Sequence, residues 1–129
     1  MKNRLGIKNG SLSPCPASPN CVSSDAADAT HRIEPFYLAA SPAAAWEALK
    51  KEVAARPGTR IVTAAEDYLH AVEKSRIFGF VDDIEFHLKK AQGIVAVRSA
   101  SRVGKYDLGV NRKRLEQIRR ALKRQGIVK

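Results

Sequence analysis

The chain has 129 residues, 44% of them apolar and only 6% aromatic, with a formal net charge of +10. That length suits one soluble globular domain with a modest core. No apolar run approaches a membrane span, and Met1 to Ser13 lacks the apolar stretch of a signal peptide, so the chain is expected to be cytoplasmic. From Lys105 to Lys129, nine Lys/Arg stand against two acids, which places +7 of the charge at the C-terminal end.

In chain order, residues 1–31 read as an arm and a Cys/Pro-rich loop, and residues 32–129 as a single α+β domain on which the arm packs. Pro14, Pro16 and Pro19 stiffen the backbone around Cys15 and Cys21 and exclude a helix or a central strand there. The five-residue gap between the cysteines admits a small disulfide loop, a redox pair or free thiols. Their spacing is not the C-x2-C of common zinc sites, and no metal or other cofactor is expected. Arg32 to Ala39 reads as a strand that Pro35 demotes to an edge. Ser41 and Pro42 open a helix whose buried face is Trp46, Leu49 and Val53, and Pro57-Gly58 stops it. Two strands follow, about Arg60 to Ala65 and Tyr68 to Ser75, joined by a turn at Glu66 and Asp67.

The stretch from Phe78 to Leu88 reads as a strand. Alternation puts Phe78, Phe80, Asp82, Ile84, Phe86 and Leu88 on one face, and Gly79, Val81, Asp83, Glu85 and His87 on the other. A carboxylate among aromatics is costly unless paired, so Asp82 needs a cation or several backbone donors. The next strand offers Arg98 and Arg102, in phase with Ile94, Ala96 and Ala100, while Val95, Val97, Ser99, Ser101 and Val103 face the other way. Which of these faces is the core is ambiguous. The expected pairing is Asp82 with one of those arginines, either as architecture or as part of a ligand site with Asp83, and Glu73 is a further partner for the arginines. His70 and His87 read as histidines at the edge of the core.

Beyond Arg102, Gly104 and Gly109 bracket a turn into a helix, with Asp107 or Asn111 as N-cap. Arg112, Lys113 and Arg114 then occupy the first turn, where the helix dipole disfavours cations. Either the acids of the preceding strand or a bound anion at the helix start must offset them. The spacing fits neither a Walker A loop nor a dinucleotide fingerprint. Leu115, Ile118 and Leu122 form the apolar stripe of this helix, and its charged face reads as solvated.

The segments CPASPNCVSS, FGFVDDIEF, VRSASRVG and DLGVNRKR, in that order, resemble the bacterial and plastid family known as domain of unknown function 1499. The resemblance covers Cys15 to about Leu122. It implies a small α+β domain without an established activity, and it carries no catalytic residues over. Family members often have an N-terminal hydrophobic segment or longer leader, from which this chain departs.

The element order β-α-β-β-β-β-α predicts a two-layer α+β fold, an antiparallel sheet of about five strands packed by two helices, TATA-binding-protein-like or helix-grip-like. The favoured function is a non-enzymatic binding or interaction module for an anionic or amphipathic small molecule or a protein. Its candidate ligand-binding residues are Arg98, Arg102, Asn111, Arg112, Arg114, Asp82 and Asp83, at a pocket between the sheet and the last helix. A small enzyme using the Asp/Arg cluster is the alternative, against which stands the absence of a nucleophile–base motif, metal-ligand spacing or cofactor fingerprint. Nucleic-acid binding by Lys113, Arg120, Lys123 and Arg124 as one exposed stripe comes third.

Overall fold

A computed structural model describes residues 4–75, 79–104 and 106–129. A two-stranded hairpin, β1 (Ile7–Lys8) and β2 (Ser11–Leu12), precedes β3 (Cys21–Ser23) and β4 (Phe36–Tyr37). Helix α1 (Pro42–Ala54) follows, then β5 (Thr59–Ala64), β6 (Tyr68–Lys74), β7 (Val81–Lys89), β8 (Ile94–Ser101) and helix α2 (Val110–Arg124). The fold is α+β, with an antiparallel main sheet and two helices.

The strands β5-β6-β7-β8 pair in sequence order, and the far edge of β8 is shared end to end by two short strands. There β3 pairs Cys21–Ser23 with Ala100–Arg98, and β4 pairs Phe36–Tyr37 with Val95–Ile94. The strand expected over Arg32–Ala39 is therefore only two residues long. Pro35 supplies no N–H to a ladder, and flanking residues make single bridges instead, Ser23 to Arg32 and Leu38 to Val128. The segment after Pro19, expected to be loop, forms β3 because the edge of β8 offers it a ladder.

Both helices cover one face of the sheet. In α1 the Ser41 hydroxyl accepts from Ala44 N–H, and Trp46, Leu49 and Val53 are buried as the spacing predicts. Leu115, Ile118 and Leu122 of α2 are each no more than 1% exposed and meet Leu69, Ile84, Phe86, Val95 and Val97 of the sheet. Burial of such side chains stabilises by about 2 kcal/mol each. The ambiguous face of β8 is thereby assigned: Val95 and Val97 point into the core, and Arg98 and Arg102 point away from it. Phe80 precedes β7 and is 53% exposed, so the aromatic surround expected for Asp82 is not formed on that side. Phe78 lies outside the described residues.

The second face of the sheet is not left to water. Gly6 N–H donates to Glu85, the Pro14 carbonyl accepts from Arg98, and Leu12 is buried. A disulfide joins Cys15 to Cys21.

Candidate functional site

On the helical face, the end of the sheet opposite the β5–β6 turn is closed by Arg114. Its guanidinium donates to Glu73 at 2.6 Å, Asp82 at 2.7 Å, Ser99 at 3.0 Å and Asn111 at 2.8 Å. Arg56 holds the other Glu73 oxygen at 2.8 Å. Burial works against the Glu73 carboxylate, but the Arg56 hydrogen bond and the Arg114 charge outweigh it and hold its pKa below the ordinary value. The cation opposing the α2 dipole is thus neutralised by Glu73 and Asp82, on strands β6 and β7.

On the opposite face, a charged row crosses β6, β7 and β8. Arg98 meets Glu85 at 3.1 Å, and Tyr68 donates to the same carboxylate at 2.6 Å. Asp83 accepts from Arg102 through two nitrogens, each at 2.9 Å, and lies 2.8 Å from His70 Nε2. Glu85, Arg98 and Asp83 are at most 1% exposed. Burial and the Glu85 hydrogen bond push the Tyr68 phenol far above its ordinary pKa.

The connection from β8 to α2 has a different character. The Asp107 carboxylate accepts from the amides of Gly109 and Asn111 and from the Asn111 side chain. Burial raises its pKa, but these three donors prevail and hold it below the ordinary value. Asn20 donates to the Gly104 carbonyl at 2.7 Å, and buried Asn111 donates to the Asn20 carbonyl and the Ser101 hydroxyl. The described residues of this connection hold their apolar side chains outward. Val103 is 58%, Tyr106 81%, Leu108 99% and Val110 44% exposed. Leu108 also has φ +55°, a left-handed conformation that costs a leucine on the order of 1 kcal/mol. Single exposed apolar groups are ordinary; four within eight residues of an anchored loop are not.

Cations flank these tips. The Arg102 side chain is 47% exposed, and Lys113, Arg120 and Arg124 fall at helical spacings of seven and four along one exposed face of α2. None of these three has an ion-pair partner among the described residues. Lys123 is also exposed but lies off that line.

The seven candidate ligand residues do not share one site. Asp82, Asn111 and Arg114 lie in the network on the helical face, and Asp83, Arg98 and Arg102 lie on the other face of the sheet. The pairing expected for Asp82 is corrected: its partner is Arg114 of α2, since Arg98 and Arg102 project from the far face to Glu85 and Asp83. Arg112 donates to the carbonyls of Arg32 and Thr30 and, with Arg119, ties the chain before β4 to α2. Space between sheet and α2 is filled by the core, and the hollow of about 580 Å³ beside Trp46, Lys50, Glu66 and Lys90 lies at the opposite end of the strands from the Arg114 network. Exposure of Val103, Tyr106 and Leu108 was not singled out from sequence, although the VGKYDLGV run, with its two glycines, held the signal.

Among the described residues, no group of three His, Cys, Asp or Glu is placed to hold a metal ion. No described helix is long and apolar enough to cross a membrane. Together these features define a two-layer α+β domain with a polar network on each sheet face and an anchored apolar loop. The family described as "Protein of unknown function (DUF1499)" matches residues 11–122, and the chain belongs to it. No curated protein and no solved structure matches the chain, so the likeness to the TATA-binding-protein and helix-grip arrangements rests on element order alone.

Proposed function

We propose that this protein is a non-enzymatic binding module for an anionic amphiphile, namely anionic phospholipid at a bilayer surface, and that it docks through the β8–α2 loop. The observation that carries this reading is Leu108, 99% exposed and in a left-handed conformation, next to an Asp107 carboxylate that accepts from the amides of Gly109 and Asn111. A fold that spends free energy to hold a leucine in water has a use for it there.

Convex apolar tips suit a bilayer, which yields to them, rather than a ligand that needs an enclosing pocket. Leu108 and Val103 enter the acyl boundary, and Tyr106 stays at the headgroup level. Lys113, Arg120 and Arg124 face the phosphates, each contributing about 1 kcal/mol near an anionic surface. With one leucine adding about 2 kcal/mol, the sum is on the order of 5 kcal/mol, which is reversible attachment. The amides at the start of α2 play no part in this reading, because Asp107 already occupies two of them.

The enzymatic alternative needs an exposed carboxylate or thiol beside the arginines. Asp82 and Asp83 are buried and paired, and both cysteines are in the disulfide.

Sedimentation with vesicles of phosphatidylcholine, with and without phosphatidylglycerol, tests the reading. Binding to the anionic vesicles alone, weakened by salt and lost in Leu108→Asp, is the expected result. Absence of binding at low salt would sink it, as would a Leu108→Asp protein that binds like the parent. Duplex DNA binding with steep salt dependence and no sensitivity to Leu108→Asp would replace it with nucleic-acid recognition by the α2 stripe.

A further inference from the structure

The charged row on the second face of the sheet is buried by a cover that is itself thinly held. Glu85 and Arg98 are 0% and 1% exposed, although the face they occupy is the one without helices. Their cover is the segment from Gly6 to Pro14. It contributes one amide to Glu85 at 2.8 Å, one carbonyl to Arg98 at 3.3 Å, and one buried side chain, Leu12.

Little else holds that segment. Its hairpin strands β1 and β2 are two residues each, Leu5 and Ile7 are 42% and 37% exposed, and Asn9 and Gly10 turn through positive φ. Leu12 N–H reaches Asp25, which also receives Lys89. The covalent fastening comes directly after Pro14. Cys15 is bonded to Cys21, and Cys21 is fixed in β3 against Ala100 of β8, two residues from Arg98. The disulfide therefore sets where the Pro14 carbonyl stands relative to the Arg98 guanidinium. Arg98 Nε has no acceptor in this closed arrangement, so the arginine is left with unspent hydrogen-bonding capacity beneath the strap.

We infer that the Cys15–Cys21 disulfide is a redox clasp that keeps residues 6–14 over the Glu85–Arg98–Tyr68 row, and that reduction opens this cover while the domain stays folded. The chemistry is thiol–disulfide exchange with a dithiol reductant. A thiolate of the reductant attacks one sulfur, the mixed disulfide is resolved by the second thiol, and two electrons and two protons pass to Cys15 and Cys21 as the reductant becomes a cyclic disulfide. The freed Cys15 end no longer fixes Pro14, so Arg98 loses its strap acceptor and Gly6 is held over Glu85 only by the short hairpin, buried Leu12 and the Leu12–Asp25 hydrogen bond. Water then reaches an ion pair that the oxidised form keeps dry. The inference is tested at the strap and not at the lipid-docking loop, although Asn20, which bonds the Gly104 carbonyl of that loop, lies between the two cysteines.

Hydrogen–deuterium exchange of the full chain, oxidised and after dithiothreitol, tests it. Expected on reduction is an increase of tenfold or more in exchange at Gly6 and Leu12, with the amides of Ile84, Phe86 and Val97 unchanged. The Cys15→Ser/Cys21→Ser protein should behave like the reduced form with or without dithiothreitol. Equal strap exchange in the two redox states would overturn the inference, since the disulfide would then not be what holds the cover. Acceleration throughout β6, β7 and β8 would also overturn it, because the bond would then hold the domain together rather than the strap.

Discussion

Arg114 and Asp82 stand 32 positions apart and meet at 2.7 Å, with their side chains 5% and 10% exposed. The pair joins the second turn of α2 to the start of β7, so the helix is fastened to the sheet by charge near one end and by Leu115, Ile118 and Leu122 along its length. Asp82→Ala should destabilise by about 3 kcal/mol, the low end for stranding one partner of a buried ion pair, because Arg114 keeps Glu73 and two neutral acceptors. Urea denaturation measures it. A loss below about 0.5 kcal/mol, the range of ordinary surface substitutions, would contradict the burial of this pair.

Glu73 should give the protein an acid-sensitive limb. Its folded pKa lies below the ordinary 4.5, so the stability it contributes is fully present above that value and is lost as pH falls through the folded pKa. Asp107, held below 3.8, adds to the same limb at still lower pH. Urea midpoints of the parent and of Glu73→Gln should differ at neutral pH and converge as the pH falls through the folded pKa of Glu73. A gap that stays constant as the pH falls would mean that the Arg56 and Arg114 contacts do not favour the carboxylate.

Leu108→Gly should leave the fold at least as stable as the parent. It removes the left-handed strain and offsets that gain with unfolded-state entropy, for a net change from zero to about 1 kcal/mol in favour of the variant. The same variant should lose most of its binding to anionic vesicles. Thermal melts and vesicle sedimentation on one preparation report both quantities, and a marked drop in melting temperature would mean that the Leu108 side chain supports the fold.

Much of this architecture was legible in the sequence because it is local. Ser41-Pro42, Pro57-Gly58 and the spacing of Trp46, Leu49 and Val53 mark α1 without reference to anything distant. Alternation likewise put Leu69 and Ala71 opposite His70, and Ile84 and Phe86 opposite Asp83 and Glu85. The partner of Asp82 was not legible. Arg98 and Arg102 sat on the neighbouring strand in a plausible phase, and only the three-dimensional closure of α2 onto β7 brings Arg114 there. The phase of β8 was ambiguous for a related reason: its arginine-bearing face is buried too, beneath a glycine-containing strap with no apolar periodicity. The loop tips were overlooked because their exposure is set by Asp107, Asn20 and Asn111, of which Asn20 is remote from the run it fixes.

Val22 stands opposite Ser99, and Leu38 bridges to Val128, while Tyr37 accepts from the amide of Lys129. Segments from the first third of the chain thus find their partners only in its last third. During synthesis they must wait, unpaired, until β8 and the residues after α2 have left the ribosome, although the β5–β6–β7 meander can form on its own schedule. A chain wired in this way should complete its structure late and in one step, with the slow folding expected where sequence-distant pairings dominate.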